Sequence, residues 1–221
     1  MRNAIKYFVG ATYKPLLVKY LSTSRNYRYN GISLTISPEV FHPGFFFSTK
    51  LLLQYISQLT LKEKTFLELG AGSGLIAISA AKKGALVTAT DINPIAIECI
   101  KKNCEKNNVE INVIHSDLFR NIPLQRFDFI AINPPYYKKQ PYTYKDYSWY
   151  CGENGEYFQS LFSSLADYMH SDSIVLMILC EGCDAGMVQT IAGKNKLHLD
   201  CVYSKQNLLE KNFIYQIKIA G

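Results

Sequence analysis

Phe66, Leu67, Glu68, Leu69, Gly70, Ala71, Gly72, Ser73, Gly74 and Leu75 restrict the fold of this chain more tightly than any other stretch. Phe66 to Leu69 have the apolar character of a buried strand end. Glycines follow at 70, 72 and 74, and Leu75, Ile76, Ala77 and Ile78 then open an apolar helix. A strand that turns through glycines straight into a helix leaves bare backbone against which a ligand can lie. The helix N-terminus adds unpaired N–H groups facing that ligand. Two common nucleotide turns are excluded by position. Gly-x-Gly-x-x-Gly counted from Gly70 needs a third glycine where Leu75 stands. The phosphate loop ends in Gly-Lys-Ser/Thr, and Gly74 is followed by Leu75.

The rest of the chain alternates strand and helix patterns. Ile32, Leu34 and Ile36 alternate in a strand over 31–37 that Pro38 ends. An aromatic loop over 40–49 leads to a helix over 50–59, with Ser48 or Thr49 placed to cap it. The glycine turn is followed by a helix over 75–83 stopped by Gly84. A strand over 86–90 ends at Asp91, and Asn93 caps a helix with Pro94 at its first position, running to Lys106. Strands over 111–115 and 127–132 follow. A long polar, aromatic loop leads to a helix over 157–169, a strand over 173–180, a helix over 184–192, and closing strands over 197–204 and 212–219. Such βα alternation predicts an α/β fold with a parallel sheet and right-handed crossovers. The one candidate boundary divides a small N-terminal cap or hairpin extension, 1–40, from the main domain, 41–221.

Length and composition agree with this. The chain has 221 residues, 48% hydrophobic and 19% charged, the size and character of one domain with a full core. Its net charge of +6 suits an anionic partner and equally a basic enzyme without one. Lys6, Tyr7, Tyr13, Lys14, Lys19, Tyr20, Arg25, Tyr27, Arg28 and Tyr29 interleave charge with aromatic rings. That mixture can bind single-stranded nucleic acid; here the first reading is a solvated cap, with Leu16, Leu17, Val18 and Leu21 on one side of a short helix. The six cysteines are expected to be reduced thiols of a cytoplasmic protein. Cys180 and Cys183 lack two further ligands, and His42, His115, His170 and His198 show no ligand spacing, so no metal site is expected. No apolar run reaches the ~20 residues that span a bilayer, and Lys6, Lys14 and Lys19 interrupt the apolar core a signal peptide would need.

In a doubly wound sheet, ligands bind at the carboxyl ends of the strands, and the marked residues gather there. Gly70 to Gly74 follow the first strand of the alternation, with Glu68 deep behind them. Asp91 ends the second, beside Ile92, where a carboxylate can accept both hydroxyls of a ribose. Asp117 follows the third, beside Leu118. Asn133, Pro134, Pro135 and Tyr136 follow the fourth. Read alone, each is a cap or turn residue. In this order and placement they define one binding edge.

Glu68-x-Gly70-x-Gly72-x-Gly74 resembles the first motif of the class I methyltransferases that use S-adenosylmethionine. Asn133, Pro134, Pro135 and Tyr136 resemble the Asn-Pro-Pro-Tyr motif of those that modify a planar nitrogen in adenine, cytosine or a glutamine side chain. The resemblance covers residues 40 to 219. It implies a Rossmann-like fold: a seven-stranded, mostly parallel sheet with an antiparallel strand at the C-terminal end. It implies S-adenosylmethionine as cofactor, bound by Glu68, Gly70, Ala71, Gly72, Gly74, Asp91, Ile92, Asp117, Leu118 and Asn133, with the loop over 40–49 lying across its methionine end. It makes Asn133, Pro134, Pro135 and Tyr136 the catalytic group, and the chemistry fits. A planar –NH2 is a poor nucleophile because its lone pair is delocalised. The Asn133 side-chain oxygen and the Pro134 carbonyl can each accept one N–H, orienting the nitrogen as positive charge develops. The prolines stiffen the loop, and Tyr136 can stack on the flat acceptor.

Two macromolecular acceptors stay open: a glutamine amide on a protein, or the exocyclic amine of adenine in RNA or DNA. Lys138, Lys139 and Lys145, set among tyrosines after the motif, suit a nucleic acid. Gly152, Glu153, Asn154 and Gly155 are similar to the Gly-Glu-Asp-Gly stretch of the bacterial release-factor glutamine methyltransferases. The Glu-Pro dipeptide of those enzymes is absent, and Ser148, Trp149 and Tyr150 stand in its place. The alternative reading is an inactive methyltransferase-like subunit that binds RNA or a protein partner.

Overall fold

The computed structural model describes residues 20–208 and 210–220; the short helix expected around Leu16 to Leu21 lies almost wholly outside them. The first described pair of strands is a hairpin. β1 (Arg25–Tyr29) and β2 (Ile32–Ile36) run antiparallel, from Arg25 opposite Ile36 to Tyr29 opposite Ile32. Asn30 and Gly31 turn the chain with φ of 44° and 77°, the two-residue geometry that suits the twist of a hairpin. Ile32, Leu34 and Ile36 are buried in the same core as the helix that follows, α1 (Phe47–Ile56). α1 starts three residues ahead of the expected 50–59. Its N-cap is Phe46 in extended backbone, with no side-chain cap, so Ser48 and Thr49 lie inside the first turn and do not cap it.

β3 (Thr65–Leu69), α2 (Leu75–Lys82), β4 (Leu86–Asp91), α3 (Pro94–Asn107), β5 (Asn112–His115) and β6 (Phe129–Ile132) follow. The long loop after β6 holds a short helix, α4 (Tyr144–Tyr147), where no element is expected. Thr143 and Asp146 nucleate it through a reciprocal capping box. α5 (Glu156–Leu165) ends four residues short of the expected 169. The chain tightens there into a 3-10 turn, Ala166–Tyr168, whose Tyr168 carbonyl accepts from the Phe127 N–H at 3.0 Å. β7 (Ile174–Cys180), α6 (Ala185–Lys194), β8 (Leu197–Gln206) and β9 (Lys211–Ile219) complete the described chain.

The main sheet has seven strands in the order β5-β4-β3-β6-β7-β9-β8. Neighbours from β5 to β7 are parallel, whereas β9 is inserted antiparallel between β7 and β8. The central strands are covered on both faces. Phe66, Phe129 and Ala131 join the cluster under α1, α2 and α3, while Leu67, Leu69, Ile130 and Ile132 join the one under α5 and α6. Such two-sided burial explains their unbroken apolar runs. The register puts Leu69 beside Thr90 and Ile132, and Asp91 beside His115, so the carboxyl ends of four strands lie along one line.

The hairpin is fastened to this sheet by two asparagines one helical turn apart on α3. Asn103 accepts from the Thr35 N–H at 2.8 Å and donates to the Thr35 carbonyl at 3.1 Å. Asn107 does the same for Ser33, at 3.0 and 2.7 Å. Their carboxamides complete the free edge of β2 as a neighbouring strand would. Asn103 also donates to the Ser73 carbonyl at 3.0 Å, which ties the hairpin to the glycine turn. Asn103→Ala is expected to lower the unfolding free energy by about 2 kcal/mol, because buried backbone groups lose their partner. Lys101→Ala, which breaks only the exposed pair with Glu98, should cost under about 0.5 kcal/mol. Urea unfolding of both variants measures the contrast, and equal losses would refute the role given to Asn103.

Candidate active site

The turn between β3 and α2 is built on left-handed glycines. Gly70, Gly72 and Gly74 have φ of 69°, 53° and 79°. At Gly74 a Cβ would also stand 3.3 Å from Ile100 of α3, so both backbone and packing require glycine there. Gly74 is the N-cap of α2 and has no side chain to serve it. Glu68 supplies the missing acceptor: its Oε2 receives the Ala77 N–H at 2.7 Å from the neighbouring strand end. Burial, with Asp91 nearby, pushes the Glu68 carboxyl up to about 8 against the lowering effect of that bond. Asp91 fixes the other side of the turn. One oxygen accepts from the Gly72 N–H at 2.8 Å and the other from the Asn93 N–H at 2.9 Å. Burial raises its pKa, and these backbone bonds oppose the rise.

Along the same edge, Asn93 caps α3 through the Ile95 N–H and donates to the Glu39 carbonyl, so it also holds the start of the aromatic loop. After β5, Asp117 is exposed, and Leu118 sits at φ 47°, an unusual angle for a bulky residue. Ser116 stabilises that backbone by donating to the Leu118 carbonyl at 2.8 Å while accepting from the Asn121 N–H at 3.0 Å. After β6, the Asn133 side-chain nitrogen donates to the Thr49 hydroxyl at 3.1 Å. Pro134 and Pro135 are buried and Tyr136 is half-buried, its ring 4.9 Å from that of Tyr137.

One cleft is lined by Glu68, Gly70, Ala71, Gly72, Asp91, Ile92, Asp117, Leu118, Asn133, Pro134, Pro135 and Tyr136. The structure thus brings together twelve of the thirteen residues singled out in the sequence. Gly74 lies behind the lining, in the packing against α3. Phe41, Pro43, Ser48 and Thr49 line it from the loop expected across the methionine end, and further lining residues come from beyond Tyr136. Tyr144, Tyr147, Ser148 and Trp149 come from the loop around α4, and Tyr157 comes from the start of α5. Tyr157 stands in the field of Asp91 and Asp117, and burial raises its pKa. Phe41 stacks on Phe46 with centroids 4.4 Å apart, and Trp149 meets them at 5.5 and 4.9 Å. Phe41 and Trp149 line the cleft here and form its roof, with Phe46 packed against both. The Thr143 and Asp146 capping box was the available signal that this loop is ordered.

The cations near Tyr136 are less free than the sequence implies. Lys138 pairs with Asp184 at 2.6 Å, and Lys139 lies 4.9 Å over the Tyr150 ring. Cys180 accepts from the Gly182 N–H at 3.3 Å, and burial pushes the Cys183 thiol up to about 12. Among the described residues no cluster of His, Cys, Asp or Glu could hold a metal, and no helix is long and apolar enough to cross a membrane.

A glycine-rich turn, carboxylates at the ends of β4 and β5, and an amide acceptor after β6 fit a nucleoside that carries an amino-acid tail. Strand order, the inserted antiparallel strand and this cradle make the chain a class I methyltransferase domain of the S-adenosylmethionine-dependent type. It belongs to the methyltransferase small domain family, which it matches over residues 32–148. A Methanocaldococcus jannaschii protein named as a protein N5-glutamine methyltransferase is 45% identical over 107 residues, covering 48% of this chain and 52% of that relative. The chain therefore spans about half of that relative's length, and 14% of a Rickettsia conorii bifunctional methyltransferase, to which it is 54% identical over 74 residues, 32% of this chain. Two solved structures share the fold. The T. thermophilus 16S rRNA N2 G1207 methyltransferase, in complex with AdoMet and guanosine, has a TM-score of 0.64 at 18% identity, over 87% of this chain and 50% of that one. The E. cuniculi Mtq2–Trm112 complex, described as methylating the termination factor eRF1, has a TM-score of 0.63 at 18% identity, over 82% of this chain and 99% of that one.

The Glu68 carboxyl makes a pH prediction. It titrates near about 8 when folded and near ~4.3 when unfolded. The folded state therefore holds the extra proton between those values, and this contribution to stability is full below about pH 4 and lost as pH rises to about 8. Glu68→Gln keeps an acceptor for the Ala77 N–H and cannot ionise. It should match the wild type near pH 4–5 and exceed it increasingly above, by up to about 1.4 kcal/mol per pH unit. Urea unfolding at pH 5, 6.5 and 8 tests this; parallel profiles would mean that the carboxyl is ionised throughout.

Proposed function

We propose that the chain is an N-methyltransferase that takes its methyl group from S-adenosylmethionine and delivers it to a planar nitrogen, with the side-chain amide of a protein glutamine as the favoured acceptor. The observation that carries this reading is the position of Asn133 and Pro134 at the carboxyl end of β6, opening into the cleft that the glycine turn floors. When bound, S-adenosylmethionine supplies a methyl group activated on a sulfonium sulfur. Gly70 and Gly72 offer it backbone without side-chain obstruction, with only the Ala71 methyl between them. Asp91 accepts from the ribose hydroxyls through lone pairs left beside its bonds to Gly72 and Asn93. Asp117 accepts from the adenine amine, with Ile92 and Leu118 against the ring. Glu68 acts behind the turn, by holding the first turn of α2. Gly74 keeps that helix close to α3.

At the acceptor end, the Asn133 side-chain oxygen and the Pro134 carbonyl each accept one N–H of the acceptor. They fix its orientation and stabilise the charge it acquires. Tyr136 covers its flat face. These roles argue against an inactive subunit, since every member of the acceptor group lines the cleft. Glutamine is favoured over adenine because Lys138 and Lys139 are engaged within the protein, and because a relative is named for glutamine. Residues 41–221 form the cofactor-binding domain in this reading, with 1–40 as an extension to it, acting in the cytoplasm.

Asp91→Ala should weaken S-adenosylhomocysteine binding by about 10²-fold or more, since two charge-assisted bonds of about 1.5–3 kcal/mol each are lost. Unchanged affinity by titration calorimetry would remove Asp91 from the site. Incubation of labelled cofactor with cell protein, RNA and DNA should place the label in protein, released as methylamine on acid hydrolysis. The double variant Lys138→Glu, Lys139→Glu should keep the wild-type salt dependence of transfer. Label in RNA or DNA, with a flattened salt slope in the variant, would make adenine the acceptor.

A further inference from the structure

The geometry points to Thr49 as the residue that sets the orientation of the Asn133 carboxamide, a positioning residue for methyl transfer. This rests on the reading of Asn133 given above. A serine or threonine at a helix start ordinarily caps the helix, yet Thr49 does not. It lies inside the first turn of α1, 6% exposed, while Phe46 takes the N-cap position with no side-chain bond. Its hydroxyl is turned to the cleft and accepts from the Asn133 side-chain nitrogen at 3.1 Å, across 84 residues of sequence.

The bond answers a specific chemical need. A carboxamide has a donor end and an acceptor end of nearly the same shape. Pro134 and Pro135 fix the backbone after Asn133, but they leave its side-chain torsion free. Turned the wrong way, Asn133 would present N–H to the N–H of the acceptor. Thr49 engages the amide nitrogen and leaves the oxygen for the cleft. Its own position is firm, because Leu51, Leu52, Leu53 and Ile56 anchor α1 in the core.

Thr49→Val keeps shape and burial and removes the hydroxyl. With tritiated S-adenosylmethionine and a fixed cell-protein fraction as acceptor, kcat should fall about 10–100-fold. The KM for acceptor and the calorimetric affinity for S-adenosylhomocysteine should stay within about 2-fold, since the substitution misorients a group that acts in the transition state. Thr49→Ser should retain most of the rate. In the side-chain amide NMR spectrum, the slowly exchanging Asn133 proton should be lost in Thr49→Val and kept in Thr49→Ser. Thermal melting checks the fold, and Thr49→Ala replaces the valine variant if that fails to fold. Asn133→Ala is assayed alongside. Near-normal turnover in it would overturn the reading of the site itself. An inactive Asn133→Ala beside a Thr49→Val with wild-type kcat would overturn the positioning role alone. A loss of cofactor affinity in Thr49→Val as large as the loss of rate would make Thr49 a cofactor ligand and equally overturn it.

Discussion

The site depends on a turn that cannot hold itself. Between β3 and α2 the backbone enters the left-handed region at three alternate glycines, and bare backbone offers no side chain to fix its own conformation. Two carboxylates from outside the turn fix it instead. Glu68 reaches forward from the strand to the third N–H of α2, and Asp91 reaches across from the next strand to the Gly72 N–H. Both are held against the cost of burial, which raises their pKa values. The cleft keeps its shape because these carboxyl groups are withdrawn from water and tied to backbone.

A second theme is the use of asparagine where a strand, a cap or a loop needs both a donor and an acceptor. Asn103 and Asn107 close the open edge of the N-terminal hairpin. Asn93 caps α3 and at the same time holds the Glu39 carbonyl. The hairpin, the aromatic loop after it and the glycine turn are thus referred to one helix, α3. Asn103 joins two of them directly, through Thr35 and Ser73. Displacement of α3 would disturb the floor and the roof of the cleft together.

The strands, the turn and the binding edge were legible because they rest on local pattern. Apolar runs mark strands buried on both faces, and Gly70, Asp91, Asp117 and Asn133 fall at strand ends by counting alone. What was not legible depends on partners distant in sequence. Thr49 reads as a cap until Asn133 is seen beside it, and Lys138 reads as a free cation until Asp184, 46 residues on, is seen against it. β1 is a different case. Asn30 and Gly31 are a hairpin signal that stood in the sequence, within a stretch read as a cap or hairpin extension with no first strand placed in it.

The roof of the cleft is assembled from two loops that share no backbone pairing with each other among the described contacts. Phe41 and Phe46 belong to one loop and Trp149 to the other, and they meet through their rings. The chain has a single tryptophan. Its indole therefore lies where the two halves of the roof touch, with no second indole elsewhere to obscure its emission. Any parting of those loops must change the polarity around that one chromophore, so the protein carries an optical gauge of its own aperture.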